Sequence, residues 1–135
     1  MMKYEFLEHT ADLKIRASGK SLANAFENIG LGLEEYICRG GKVEGKIKKE
    51  FSLKGEDNEA LLYSFLDEII FLLDTEAFIF SKIKVKIKKG ELKAEMKGDD
   101  AGNYLHLNPP KAATYAEMYV KRTKKGFEVQ AVIDV

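Results

Sequence analysis

Two stretches of apolar residues at helical spacing, separated by segments that alternate like strands, constrain the fold of this chain most strongly. Ser21 is placed to cap the first helix, and Gly40-Gly41 is placed to end it. Asp57 or Asn58 is placed to cap the second helix. The wide apolar stripe of this helix predicts that it is the most buried element. The apolar positions are Leu22, Ala25, Phe26, Ile29, Leu33, Tyr36 and Ile37 in the first stretch and Leu61, Leu62, Phe65, Leu66, Ile69, Ile70, Leu72 and Leu73 in the second. The sequence therefore predicts two amphipathic helices.

Alternation of apolar and polar residues predicts about seven strands around these helices. Gly90 is expected to close a hairpin, and Lys124-Lys125-Gly126 to form the last turn. The strand segments are 12–17, 43–54, 78–80, 83–88, 92–96, 113–121 and 127–135. The pattern predicts an α+β fold, with two amphipathic helices packed on a mostly antiparallel or mixed sheet. A strand, a glycine break and a helix occur twice in this order, but few letters match, so the pattern indicates only a weak duplication.

Composition limits the class of protein. With 135 residues, 45% of them apolar, the chain can bury one ordinary core, which predicts a single domain over residues 1–135. The 22 basic residues equal the 22 acidic ones, so net charge alone does not attract DNA, RNA or acidic membranes. The only cysteine, Cys38, excludes an internal disulfide and a multi-thiolate zinc site. Charges at Lys3, Glu5 and Glu8 interrupt any signal-peptide core, so we expect a soluble, cytoplasmic protein.

Several patterns with a chemical interpretation also have a structural one. Gly19-Lys20-Ser21 ends like a phosphate-binding loop, but Lys14 stands where that loop needs a glycine, which favours a turn and a capping serine. Alternating lysines on one strand face are typical of a solvated edge strand, although they could also follow an RNA backbone; they are Lys82, Lys84, Lys86 and Lys88. Cys38 and the two unpaired histidines, His9 and His106, lack the spacing of a catalytic thiol or a zinc site.

Carboxylates near the two ends of the chain are the remaining candidates. Asp12 begins a strand, and Asp134 lies beside the terminal carboxylate of Val135. Oxygen ligands of this kind suit a hard cation such as calcium or magnesium. A solvated strand face would also explain Asp134, and a turn at the start of the strand would explain Asp12.

The segments EHTAD, KAATY and the closing VIDV resemble the archease family, and the order and spacing of the segments around them do so over essentially the whole chain. The resemblance implies a non-catalytic protein cofactor that activates the RtcB-type tRNA-splicing ligase. It would promote guanylylation of the ligase by GTP and keep it turning over, in a chaperone-like way. GTP and RNA would be reached only through the ligase, and neither DNA nor a membrane would be a partner.

The resemblance also implies roles for particular residues. Asp12 and Asp134 would be metal ligands completed by Val135, with calcium the expected cation and magnesium or manganese the alternatives. Lys111, in KAATY, would be the functional lysine, and His9 would orient the acidic group or its loop. The chain departs from the family pattern at Pro110, at Ala116 and in the short loop that contains His106. Those departures concern His106 and the pose of Lys111 and leave the aspartates unaffected.

Two other functions are compatible with the same residues. A metal-dependent phosphoester or nucleotide hydrolase would use Asp12 and Asp134 to hold an activating ion, with His9 the only nearby candidate base. A general adaptor or chaperone for RNA-modifying enzymes such as methyltransferases would act without depending on Asp12. The sequence indicates neither the oligomeric state nor the docking surface.

Overall fold

A computed structural model describes residues 3–7 and 12–135. Eight strands and two long helices are found in these ranges, together with a 3-10 turn at Ala101–Asn103. The elements in chain order are β1 Tyr4–Leu7, β2 Asp12–Gly19, α1 Leu22–Cys38, β3 Ile47–Lys54, α2 Asn58–Glu76, β4 Phe78–Lys88, β5 Glu91–Asp100, β6 Ala112–Ala113, β7 Tyr119–Thr123 and β8 Gly126–Asp134.

The strands form two sheets in which every described pairing is antiparallel. The first sheet has the order β1-β2-β8-β6, with β7 on the same edge of β8 as β6. The second has the order β3-β5-β4. The α+β class is confirmed, with the strands divided between two sheets. One hydrophobic cluster contains residues from both helices and both sheets, whereas the expected single domain and weak duplication stay predictions.

Both predicted helices are present, with the expected caps. The Ser21 side chain accepts a hydrogen bond from the Asn24 amide, and the Asp57 side chain accepts one from Ala60. Helix α1 ends at Cys38, and the left-handed residue that follows is Arg39, one position before the expected Gly40-Gly41. Neither described helix is long and apolar enough to cross a membrane.

Helix α1 packs on β2 and β8 of the first sheet and also along β4 of the second. A Cβ atom at Gly32 would lie 3.0 Å from the Tyr4 ring and 3.3 Å from Ile15, so this glycine lets α1 approach the first sheet closely. At Gly30 the nearest neighbour is instead Phe65 of α2, at 3.2 Å. Close packing of α1 at these two glycines is therefore against a sheet at one position and against a helix at the other.

Two strand predictions need correction. The segment predicted as one strand over 113–121 is two strands, β6 and β7, because the regular pairing with β8 is interrupted at residues 114–118. The strand predicted from Val43 begins only at Ile47, where pairing with β5 starts. In addition, β1 was not predicted.

Strands 78–80 and 83–88 are one strand, β4, with a bulge between Phe80 and Lys82. The bulge explains why the apolar positions change from even numbers (Phe78, Phe80) to odd numbers (Ile83, Val85), since one extra residue reverses the faces of all that follow.

Candidate functional site

Asp12 and Asp134 are direct partners in the pairing of β2 with β8. Cross-strand partners project from the same face of a sheet, with Cβ atoms roughly 4.5–5.5 Å apart. Ile15 lies against α1, and Asp12 has the opposite parity in β2, so both carboxylates lie on the face away from that helix. The structure therefore brings these two predicted residues together. His9 lies outside the described residues.

Lys111 reaches the same end of the sheet through β6. Its amide donates a 2.8 Å hydrogen bond to the carbonyl oxygen of Asp134, and its neighbour Ala112 is the partner of Asp134 in β8. The side chain of Lys111 is exposed, whereas Pro110 before it is buried. Because the bond to Asp134 uses only the backbone, the ammonium group of Lys111 is available to a partner molecule.

The carboxylate pair offers oxygen ligands suited to a hard cation. Asp134 is exposed, and Val135 follows it directly with its side chain packed on the core. No group of three or more metal-ligating side chains occurs in residues 3–7 and 12–135, and Asp12 and Asp134 are the two carboxylates that a cation site at this end of the sheet would use. Such a site needs further oxygens from main chain, solvent or a partner, because calcium takes about 6–8 ligands.

Basic side chains also lie on this face of the sheet, and the sequence reasoning did not include them among the candidate site residues. Lys14 lies two positions from Asp12 on β2, and its Nζ is 3.0 Å from Oε1 of Glu117. Arg16, two positions further, donates hydrogen bonds of 3.2 and 3.0 Å to the side-chain oxygen of Gln130. The alternation in β2 already placed Lys14 and Arg16 beside Asp12. Their partners could not be identified because they come from the far end of the sequence.

The segment Thr114–Met118 covers part of this face. The Thr114 hydroxyl donates a 2.8 Å hydrogen bond to the carbonyl oxygen of Val132. The side-chain amide of Gln130 donates one of 2.8 Å to the carbonyl oxygen of Glu117. The Tyr115 ring stacks on Tyr63 of α2 with centroids 4.4 Å apart and planes 5° from parallel. These contacts tie the second half of KAATY both to β8 and to α2.

The other candidate residues lie elsewhere. His106 is exposed and has a left-handed backbone with φ 62°. Cys38 is half-buried, and burial together with the nearby Glu34 raises the pKa of its thiol to about 12. A thiol held protonated in this way is a poor nucleophile. The four lysines of β4 are exposed on the outer strand of the second sheet.

Glu34 is a buried carboxyl that the sequence did not single out. It is 4% exposed, and its Oε2 accepts hydrogen bonds from the Phe80 amide at 3.2 Å and the Cys38 thiol at 3.7 Å. Burial raises the pKa of Glu34 to about 8, against the opposing effect of these two donors. Two turns earlier, Glu27 accepts a 2.8 Å hydrogen bond from the Val85 amide. Carboxylates of α1 thus satisfy amides on the free edge of β4, which explains their place on a packed helix face.

Comparison with known proteins decides the family. The model of the archease protein family matches residues 4–135. The chain belongs to the archease family. An archease of Thermococcus kodakarensis is 40% identical, with 93% of each chain covered, and one of Pyrococcus furiosus is 37% identical over the full length of both.

Solved structures related to the archease family have the same fold. The solution structure of protein 1598 of Methanobacterium thermoautotrophicum is 31% identical, with a TM-score of 0.86 and full coverage of both chains. The crystal structure of a Thermotoga maritima archease, described as a possible chaperone, has a TM-score of 0.67 at 20% identity and covers 96% of this chain and 94% of that one. The archease resemblance predicted from EHTAD, KAATY and VIDV is therefore confirmed as family membership.

Proposed function

We propose that this archease is a non-catalytic activator of an RtcB-type tRNA-splicing ligase. It promotes the GTP-dependent guanylylation of the ligase and its multiple turnover in the cytoplasm. The observation that carries the proposal is the meeting of Asp12, Asp134 and Lys111 at one end of the first sheet. These three residues come from segments that are distant in the sequence. The packing of the core does not require their side chains.

In this proposal, Asp12, Asp134 and Val135 would hold a divalent cation, with calcium favoured over magnesium or manganese. The cation would supply positive charge and open coordination positions for oxygen atoms of the ligase. Lys111 would add a second positive charge at the same end, and His9 would orient the acidic loop. At this acidic end of the sheet, GTP and RNA would be contacted only through the ligase.

The protein residues act by stabilising one conformation of the ligase. Because the Lys111 amide donates a hydrogen bond to the carbonyl oxygen of Asp134, the backbone of Lys111 is held at a fixed position relative to that of Asp134. An arrangement that binds the guanylylation-competent ligase more tightly than its other conformations shifts the population towards it. The description of the Thermotoga relative as a possible chaperone is compatible with such a role.

The experiment that tests this proposal is guanylylation of the purified ligase with labelled GTP and a divalent metal. Native protein should increase the amount of covalent guanylate on the ligase, and the Asp12→Ala variant, shown to be folded, should not. Equal stimulation by both proteins would contradict a role for the carboxylate pair. Hydrolysis of GTP by the native protein alone would favour the hydrolase alternative.

A further inference from the structure

A basic cleft lies at the end of the first sheet opposite the carboxylate pair. It is formed by β1, the last residues of β2, the first turns of α1 and the turn between β7 and β8, and its volume is about 840 Å³. Strand β2 runs from Asp12 to Gly19, so at about 3.3 Å per residue the cleft is roughly 20 Å from the acidic end. Nothing in the proposed function uses this surface.

Positive charge dominates the lining of the cleft. Five basic residues contribute to it, against the two carboxylates of Glu5 and Glu128. The basic residues are Lys3, Arg16, Lys20, Lys124 and Lys125. Each carboxylate already has a basic neighbour, since Glu5 lies 3.6 Å from Arg16 and Glu128 lies 3.2 Å from Lys121. Within residues 3–7 and 12–135, no ion pair is formed by the four lysines.

Close backbone packing fixes the position of three of these lysines. A Cβ atom at Gly126 would lie 2.2 Å from the carbonyl oxygen of Gly19, so only glycine lets the β7–β8 turn lie directly against the end of β2. Gly126 also has φ 144°, which disfavours other residues. This contact holds Lys124 and Lys125 beside Lys20 without help from their side chains. The backbone therefore holds several basic residues around one cleft, an arrangement that favours an anionic ligand.

Two aromatic residues also line the cleft, Tyr4 on the β1 side and Phe127 on the β8 side. One side of the Tyr4 ring packs on α1 at Gly32, and the guanidinium of Arg122 lies 5.6 Å from the centroid of the Phe127 ring. The amides of Asn24 and Asn28 are already engaged, Asn24 with Lys20 and Glu27 and Asn28 with the carbonyl of Ser18. The cleft therefore offers positive charge and apolar surface, but few free hydrogen-bonding groups that could distinguish one nucleobase from another. Its volume lies within the roughly 300–1,000 Å³ typical of small-molecule sites.

We propose that this cleft binds the phosphate groups of a nucleotide, either free or at the end of a polynucleotide strand, with its base against the apolar wall. Lys20, Lys124 and Lys125 contact the phosphates, and the rings of Tyr4 and Phe127 contact the base. The Gly19-Lys20-Ser21 segment takes part through the side chain of Lys20, while Ser21 remains the helix cap.

The test is calorimetric titration of the full chain with ATP, tripolyphosphate and a trinucleotide RNA with or without a 5′-phosphate. The variant Lys20→Gln/Lys124→Gln/Lys125→Gln should bind ATP about tenfold more weakly or worse. The control Lys82→Gln/Lys84→Gln/Lys86→Gln removes the same charge from exposed positions on β4 and should bind within about twofold of native protein. Backbone amide NMR spectra verify that both variants fold and should show shifts near Gly19 and Gly126 in native protein on titration.

Each outcome bears on the proposal. Absence of ATP binding at millimolar concentration, or an equal loss in both triple variants, would overturn it. Equal affinity for ATP and tripolyphosphate would also overturn it, since the apolar wall is assigned to the base. Tighter binding of the phosphorylated trinucleotide than of ATP or the unphosphorylated form would identify a strand end as the ligand. Tighter binding of ATP would identify a free nucleotide. The readout needs no ligase, so it is independent of the proposed activator function.

Discussion

Asp12 and Asp134, near opposite ends of the sequence, face each other across adjacent strands of one sheet. Like charges in this relationship destabilise a sheet by several tenths of a kcal/mol. A sequence selected only for stability would gain stability if one of these aspartates were replaced. Their pairing is therefore a local conflict of the kind expected at a functional site.

Replacing Asp134 with asparagine should separate stability from cation binding. In the presence of a chelator, Asp134→Asn should leave the free energy of unfolding within about 0.5 kcal/mol of that of the native protein, because Asp134 is exposed. Calcium should raise the melting temperature of native protein and leave that of the variant unchanged. The control is Asp67→Asn, at an exposed position of α2, which should keep the calcium response. An undiminished calcium response in Asp134→Asn would exclude Asp134 as a ligand.

Lys111→Met should remove ligase stimulation without loss of stability. The Lys111 side chain is exposed, and its hydrogen bond to Asp134 comes from the backbone, which the variant keeps. We expect less than about 0.5 kcal/mol of change in unfolding free energy and a loss of most guanylylation. Lys88→Met, on the exposed side of β4, controls for loss of one positive charge. If Lys111→Met stimulates the ligase as well as Lys88→Met does, the lysine has no role in activation.

Glu34 should make stability depend on pH in the neutral range. Its pKa is raised from 4.5 to about 8 by burial, so between these values the folded chain keeps a proton that the unfolded chain has released. The free energy of unfolding should therefore fall as the pH rises from about 5 to 8, by at most about 1.4 kcal/mol per pH unit from this group, and level off above.

Glu34→Gln, measured by urea unfolding at each pH, should flatten that dependence, since glutamine still offers an oxygen to the Phe80 amide but does not titrate. Glu56→Gln, at an exposed position, should retain the native slope. Identical pH profiles for native protein and Glu34→Gln would show that Glu34 does not titrate in this window.

The stack of Tyr63 on Tyr115 should stabilise the segment that follows Lys111. Tyr115 is 58% exposed, so most of its contact energy comes from this ring. A double-mutant cycle of Tyr63→Ala and Tyr115→Ala should give a coupling of about 1 kcal/mol. The pair Tyr63→Ala and Phe6→Ala, with Phe6 on β1, should be additive. Additivity in the first cycle as well would mean that the stack contributes nothing in solution.

Local patterns predicted the helices well and the irregular strands poorly, for physical reasons. The bounds of α1 and α2 depend on Ser21, Asp57 and apolar spacing, which are all close in sequence. The break between β6 and β7 depends on contacts of residues 114–118 with Val132 and Tyr63, which lie far away in the chain.

The candidate site shows the same division. The even-numbered alternation of β2 placed Asp12 and Lys14 on one face, and the chemistry of the carboxylates made Asp12 and Asp134 joint candidates for a cation site, but only the resemblance to a family added Lys111. The sequence did not indicate that Glu34 and Glu27 would bind amides of β4, since carboxylates in a helix usually face solvent. Register and long-range hydrogen bonds cannot be read from local periodicity.

Activation of a ligase by the acidic end of the first sheet can be measured in a complete joining reaction. The most direct measurement is multiple-turnover joining of a broken tRNA by the cognate RtcB-type ligase, with GTP and a divalent metal, alone, with this protein, or with its Asp12→Ala form. We expect many turnovers with native protein and a return to the unstimulated level with a folded Asp12→Ala variant. No stimulation of a ligase shown to be active, or equal stimulation by the variant, would contradict this expectation.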